Sequence, residues 1–183
     1  ATYSVAWIDC VARGRDLGRS LIYLGEHARA DELAQGADRF PVGKNPGLAV
    51  PIDLPSMTLN RYSIRAFNEL YYRMGARRAG SDQIVSLYPY FFPLDSIADW
   101  NRIYGRRGFL QHQCVIPEAG ARAVLGDILD RVSQRGDASF LAVLKKLGQG
   151  DGLLSFPQPG YTLALDFPVK GDILNFLDEI DRL

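Results

Sequence analysis

Residues 109–116 have the sequence FLQHQCVI, an apolar run with aromatic and β-branched side chains that predicts a strand. Pro117 follows at once and suits the first position of a helix, which we expect to extend to about Arg135. Two more strands are predicted at residues 139–147 and 161–167, on either side of a segment rich in glycine and proline. The section therefore predicts a strand, a crossover helix and a hairpin.

A final helix is predicted after this hairpin, with Asp172 as a suitable N-cap. The resulting order of strand, helix, strand, strand and helix resembles half of a ferredoxin-like unit. We therefore predict an α+β domain, in which an antiparallel β-sheet has helices packed on one face and contains ferredoxin-like elements.

The N-terminal part is predicted to add two strands to this sheet. Residues 3–9 (YSVAWID) are rich in aromatic and β-branched side chains, and residues 20–28 (SLIYLGEHA) are a suitable antiparallel partner. Residues 29–60 contain several prolines and glycines, which predicts a long connection with little regular structure.

The middle of the chain is predicted to contain one helix and one strand. Residues 63–74 repeat apolar side chains at three- and four-residue spacing, which predicts a helix that ends at Gly75. Residues 83–92 (QIVSLYPYFF) predict a strand, in which Pro89 favours a sheet edge or a bend. A loop rich in aromatic and charged residues is expected from there to Gly108.

The composition is that of an ordinary globular domain, with 183 residues of which 47% are hydrophobic and 23% charged. The 21 basic and 21 acidic residues give a formal net charge of zero, so no long-range attraction to nucleic acid is expected. Cys10 and Cys114 lie in apolar runs, which is typical of buried free thiols. His27 and His112 are too far apart to form a recognisable metal-ligand pattern, and no metal is predicted.

The apolar stretches are shorter than the about 20 residues that cross a bilayer, and no signal peptide opens the chain. We therefore expect a cytoplasmic location, with a peripheral membrane contact as a further expectation. The chain starts directly in a predicted strand and stops at Leu183 within a helical pattern, which favours an excised piece of a longer protein. The glycines at 148, 150 and 152 lie between two strands, whereas a phosphate-binding loop opens a helix.

Side-chain alternation along individual strands identifies candidate ligand-binding residues. Gln111 and Gln113 point the same way and could bind a hydroxyl-rich ligand, although a solvent-facing surface is the plainer interpretation. Lys145 is either solvated at its strand end or holds a ligand oxygen. Trp7 is either a core residue, which we favour, or a stacking surface for a sugar. Thr162, Ala164 and Asp166 share one face of the last strand.

Several sequence motifs resemble those of a known family. They are YSVAWID (3–9), PLD (93–95), WNR (100–102), YG (104–105), GFLQHQCVIP (108–117), SFLAVLK (139–145), LSFPQPG (154–160) and DFP (166–168). In this order they resemble the cap domain of decaprenylphosphoryl-β-D-ribose 2′-oxidases, within the vanillyl-alcohol-oxidase type of flavoproteins that includes the aldonolactone oxidases. The resemblance covers nearly the whole chain and is weakest over residues 29–60.

The resemblance implies that residues 1–183 form a substrate-binding cap, and that FAD is held by a separate domain absent from this chain. Gln111, Gln113, Lys145 and Trp7 would then line the substrate pocket. Residues 95–107 would form a mobile lid.

Three residues of the implied pocket differ from those of the resembled enzymes. Phe91 stands where those enzymes have tyrosine, and Thr162 and Ala164, on the strand nearest the flavin, replace asparagine and cysteine. These differences alter the polarity of the pocket and leave the choice of sugar open.

The implied reaction removes a hydride from a sugar hydroxyl carbon to FAD. The resembled enzymes have a lysine at the active centre just beyond the cap, so no catalytic residue is assigned in this chain. The expected partners are a sugar or sugar-lipid substrate, the FAD domain of the same polypeptide and a second copy of the chain through its bared sheet face. The alternatives are a lactone oxidase, or a stand-alone α+β module that binds a ligand or regulates without catalysis.

Overall fold

The computed structural model describes residues 1–38, 47–55, 57–136 and 140–183. The strands are β1 (Tyr3–Ile8), β2 (Ser20–Gly25), β3 (Leu48–Ala49), β4 (Ile97–Ala98), β5 (Phe109–Pro117), β6 (Ala142–Leu147) and β7 (Gly160–Pro168). The helices are α1 (Arg61–Ala76), α2 (Leu87–Phe91), α3 (Ala121–Arg135) and α4 (Ile173–Ile180). Residues 39–46 and 56 of the predicted connection, and Ser139 of a predicted strand, lie outside the described residues.

The main sheet is antiparallel throughout and has the order β2-β1-β6-β7-β5. Strands β5 and β6 both pair with β7 and therefore run in the same direction, with α3 as the connection between them. This split βαβ arrangement, followed by β7 and α4, supplies five of the six elements of a ferredoxin-like unit. The predicted α+β class and its antiparallel sheet are confirmed. A short parallel pair, β3 with β4, lies apart from the main sheet.

The main core lies between the sheet and the two helices α3 and α4. Alternation along β7 directs Leu163, Leu165 and Phe167 to this side, and each is only 1% exposed. They pack with Val132 of α3 and Phe176 of α4, among others. Each such side chain stabilises the fold by about 1.5–3 kcal/mol relative to exposure to water.

The two cysteines are free thiols, as predicted. Cys10 is buried in the main core, and burial raises the pKa of its thiol to about 12. Cys114 is half-buried on the helix side of β5, where burial also raises its thiol pKa. Both thiols are therefore protonated and weakly nucleophilic at neutral pH.

Helix α1 packs against the opposite face of the sheet, at the end formed by β1 and β2. Asn60 caps it by accepting from the backbone N–H groups of Tyr62 and Ser63. The predicted end at Gly75 is wrong, because Gly75 lies inside the helix and a Cβ there would overlap Leu21 of β2. The glycine permits close approach of helix and strand instead of ending the helix.

A buried carboxylate links α1 to the sheet. Asp9, which is 1% exposed, accepts from Arg19 Nε at 2.9 Å and from Asn68 Nδ2 at 2.7 Å. Arg19 also pairs with Glu69 of the same helix. Breaking such a buried pair by removing one partner costs about 3–5 kcal/mol, so this network fixes where α1 lies.

The prediction of a strand over residues 83–92 is wrong. Residues 83–86 have no regular structure and Leu87–Phe91 form α2. Pro89 lies in the first turn of this short helix, where a missing N–H costs little. The apolar residues of the segment instead pack through aromatic rings, as Phe91 does against Tyr3 at 5.0 Å between ring centroids.

Two helix starts also differ from prediction. Pro117 ends β5 opposite Gly160, and α3 begins only at Ala121, after Gly120 with a φ of 86°. Asp172 does precede α4, but its carboxylate accepts from Arg135 Nη1 at 2.9 Å and caps no helix N–H. The turn at Gly120 thus delays the start of α3, and the ion pair with Arg135 takes the place of a helix cap at Asp172.

Substitution of Gly75 by alanine should destabilise the protein by about 1–3 kcal/mol, because the new methyl group overpacks against Leu21. Gly126 in α3 has open space around its Cα, so Gly126→Ala is the matched control and should stabilise by about 0.5–1 kcal/mol. Urea unfolding of both variants measures the difference. A Gly75→Ala protein as stable as the wild type would show that the Leu21 side chain does not hold a fixed position against Gly75.

Candidate functional site

The face of the sheet opposite α3 and α4 is called the open face. Alternation and register place on it Gln111 and Gln113 of β5, Lys145 of β6, and Thr162, Ala164 and Asp166 of β7. α1 covers this face at the β1–β2 end, and Tyr104 approaches it at the other end. Between them the three strands present polar side chains.

Two of these residues form a polar pair, with Lys145 beside them on the neighbouring strand. Lys145 lies directly opposite Thr162 across β6 and β7, and Gln113 Nε2 donates to Thr162 Oγ1 at 3.0 Å. Thr162 is 3% exposed, whereas Lys145 and Gln113 are exposed. Within the described ranges, the Lys145 ammonium has no ion-pair or hydrogen-bond partner. It is therefore available to an anionic or hydroxyl-bearing ligand.

Asp166 forms a second cluster with Gln111 and Tyr104. Gln111 Nε2 donates to Asp166 Oδ1 at 3.0 Å, and the Tyr104 hydroxyl donates to Asp166 Oδ2 at 3.5 Å. Asp166 is 2% exposed, and burial raises the pKa of its carboxyl group above the usual range. Sequence reasoning put Asp166 on this face but gave it no role, because Tyr104 approaches it from a distant segment.

Trp7 lies under α1 and not on the surface of the open face. Its indole N–H donates to the Phe140 carbonyl at 2.9 Å, its ring centroid is 4.8 Å from that of Tyr71, and it is 7% exposed. The structure thus places Trp7 as the core residue that the sequence favoured. The lining role implied by the resemblance stays a prediction.

Phe91 lies at the β1 end of the open face, away from the two glutamines. Its ring meets Tyr3 edge to face, and Phe91 is 42% exposed. Neighbouring apolar residues of the same segment, Leu87, Tyr88 and Phe92, are also exposed. This aromatic segment was predicted as a strand, so its place beside β1 could not be foreseen.

The structure therefore brings together on adjacent strands five of the seven residues that the resemblance implies for the pocket. They are Gln111, Gln113, Lys145, Thr162 and Ala164. Their role in binding a ligand stays a prediction, as does the lid at residues 95–107. That segment contains β4 and the short helix Trp100–Tyr104, and its Arg102 pairs with Asp53 at 3.1 Å.

Two further features bear on function. In the part of the chain that the structure describes, no group of three or more His, Cys, Asp or Glu residues is suited to hold a metal ion. Among the described helices, none is both long and apolar enough to cross a membrane.

Comparison with known proteins finds similar proteins, including the following two. The chain is 34% identical over 184 residues to the decaprenylphosphoryl-beta-D-ribose oxidase of Mycolicibacterium smegmatis, covering 99% of this chain and 39% of that protein. It is 30% identical over 195 residues to an uncharacterized protein in the mprA 5′ region of Streptomyces coelicolor, covering 99% of this chain and 51% of that protein. No protein-family model matches the chain.

The chain thus spans about two fifths to half of the length of these curated relatives. Over nearly its whole length it is similar to part of an oxidase, which supports a relationship to the oxidoreductases. The resemblance found in the sequence motifs therefore has a counterpart in overall identity.

The raised pKa of Asp166 predicts a pH-dependent stability difference between the wild type and Asp166→Asn. Since the folded carboxyl group binds its proton more tightly than the unfolded one, wild-type stability is lost as pH rises through the folded pKa. The stability of Asp166→Asn relative to the wild type should therefore be highest at neutral pH and fall as the medium is acidified. Urea unfolding from about pH 7 to pH 4 measures it. A stability difference that is independent of pH would show that folding does not raise the pKa of Asp166.

Proposed function

We propose that this chain is the substrate-binding cap of an FAD-linked oxidoreductase that oxidises a sugar hydroxyl, with the FAD-binding domain elsewhere in the same polypeptide. The single observation that carries the proposal is the open face, where one carboxamide donates to a threonine hydroxyl, a second donates to a buried carboxylate, and a lysine lies on the adjacent strand. The similarity to part of an oxidase gives this polar surface a chemical context.

The polar clusters suit a hydroxyl-rich ligand. Carboxamides both donate and accept hydrogen bonds, so Gln111 and Gln113 can bind sugar hydroxyls that a purely apolar surface could not. The Lys145 ammonium supplies a positive charge between Thr162 on one side and the β1 end on the other. A phosphate group or a polarised sugar oxygen is the natural partner for that charge.

The open face changes character along the strands, and this favours a lipid-linked sugar over a small lactone. From Lys145 toward the end of β6, the same face carries Leu147, and the neighbouring strand carries Tyr3 beside Phe91. In the opposite direction lie Gln113, Gln111 and Asp166. The order is therefore polar, cationic and aromatic, which matches a sugar, a phosphate and a hydrocarbon chain in one molecule.

The residues at the centre of the open face fit the edge of a planar ring. Val143 and Ala164 are opposite each other across β6 and β7, and both have small side chains that leave a low apolar floor between the polar groups. These residues would contact the flavin ring and the sugar, whereas the rest of the cofactor would be bound by the other domain. FAD supplies the hydride acceptor when it is bound. We assign no proton-transferring base to this chain.

Two adjacent lysines provide a matched test in the full-length enzyme. Lys145 lies on the open face, whereas Lys146 points to the other face and pairs with Glu118 at 2.9 Å. Lys145→Met should raise the KM for a short-chain prenylphosphoryl ribose about 10- to 100-fold, because a charge-assisted contact is worth about 1.5–3 kcal/mol. Lys146→Met should change it less than about threefold, because an exposed ion pair contributes little.

Anaerobic bleaching of the flavin absorbance with each substrate gives the readout. The flavin of the wild-type enzyme should be reduced faster by the prenylphosphoryl ribose than by an aldonolactone of similar stereochemistry. Preferential reduction by the lactone would assign the enzyme to the lactone oxidases. A wild-type protein that carries no flavin, or whose flavin is reduced by neither compound, would contradict the proposed function.

A further inference from the structure

We infer that Asp166 is a positioning residue, whose buried carboxylate orients the carboxamide of Gln111 so that the Gln111 carbonyl oxygen faces the ligand. The inference rests on the proposed function, since it concerns how the same open face recognises its substrate. It adds a specific polarity to that recognition: the ligand must donate a hydrogen bond at Gln111.

The geometry of the pair is set by the ladder between two strands. Gln111 and Asp166 are Cα partners across β5 and β7, so their side chains rise next to each other from the same face. Gln111 Nε2 lies 3.0 Å from Asp166 Oδ1. Gln111 is exposed while Asp166 is 2% exposed, so the carboxylate lies below and the carboxamide lies above it at the surface.

The chemistry of the carboxylate decides which end of the carboxamide turns toward it. An ionised carboxylate only accepts hydrogen bonds, so the NH₂ end of Gln111 must face Asp166 and the carbonyl oxygen must face away. In the described part of the chain, the Gln111 side chain makes no other hydrogen bond. Its Oε1 is therefore an acceptor presented to whatever occupies the open face.

Gln113 is not fixed in this way, and the contrast gives Asp166 its significance. Its partner is the Thr162 hydroxyl, which can donate as well as accept, so either end of the Gln113 carboxamide can satisfy it. Of the two glutamines on the open face, only Gln111 has its polarity imposed by the protein.

Asp166 also has a cost that a purely structural role does not explain. Among the described residues no cation pairs with it, and its other oxygen accepts only a 3.5 Å bond from Tyr104. A buried carboxylate without a counter-ion costs stability. Groups held at such a cost cluster at binding and catalytic sites. A carboxylate that orients a substrate-binding carboxamide is consistent with this pattern.

The expected ligand group is a hydroxyl, which donates, and not a carbonyl, which cannot. The hydroxyl group on the sugar carbon that is to be oxidised meets this requirement, and the ketone formed from it does not. Orientation of Gln111 by Asp166 therefore favours binding of the hydroxyl form at this position over the keto form.

The test uses the full-length enzyme with the variants Asp166→Leu, Asp166→Asn, Gln111→Met and the double variant of Asp166→Leu with Gln111→Met. The probes are a short-chain prenylphosphoryl ribose and its 2-deoxy and 3-deoxy analogues. Asp166→Leu should raise KM about tenfold with less than about threefold change in kcat, since a tenfold change corresponds to about 1.4 kcal/mol, which is within the range for one oriented hydrogen bond. Asp166→Asn retains one acceptor oxygen and should have an intermediate effect.

Two results separate positioning from a structural role. The double variant should be no worse than Gln111→Met alone, and one deoxy analogue should bind equally well to the wild type and to Asp166→Leu. Independent, multiplicative losses in the double variant, or equal losses for all three probes, would overturn the inference.

A ligand-free measurement keeps the inference separate from the proposed function. With ¹⁵N-labelled glutamine, the side-chain NH₂ of Gln111 should exchange slowly with water in the wild type and rapidly in Asp166→Leu. Equal exchange rates would overturn the positioning role whatever the enzyme oxidises. Failure of the wild type to oxidise or bind any of the sugars would instead refute the proposed function, while slow exchange in the wild type alone would still support the Asp166–Gln111 geometry.

Discussion

Strand β7 has hydrogen-bonded neighbours along both edges, and the alternation of its side chains governs both faces of the sheet. On one side Leu163, Leu165 and Phe167 anchor α3 and α4. On the other side Thr162, Ala164 and Asp166 form the middle of the open face. Because the two sets alternate on a single strand, the core cannot shift without moving the site. Packing energy that stabilises the fold thus also holds the polar groups in register.

The parts of the fold that depend on local pattern were predictable from sequence. The strands around residues 109–116 and 161–167 have alternation or apolar runs long enough to define a strand, and the helix between them is confirmed within a few residues. Residues 83–92 were misassigned because aromatic side chains suit a strand and a ring cluster equally well. Gly75 was misread as a helix end because its neighbour Leu21 is distant in sequence.

For the candidate site, too, the sequence predicts only what depends on the local pattern within each strand. Alternation alone put Gln111 and Gln113 on one face, and it put Thr162, Ala164 and Asp166 on one face of another strand. That these two faces coincide depends on the register of β5 with β7, which pairs Gln111 with Asp166. The contribution of Tyr104 depends on a tertiary approach over 62 residues of sequence, and no local pattern encodes that.

The lysine doublet at residues 145 and 146 places one ammonium on each side of β6. If β6 slipped by one residue against β7, Lys146 would take the place of Lys145, and the open face would keep its positive charge. The same slip would turn Ala142 and Leu144 away from α3 and α4 and expose them to water. A molecule with β6 out of register would therefore be disfavoured by its lost core packing, although its open face would still carry a lysine. The apolar residues on the helix side of β6 therefore determine the register of the residues on the open face.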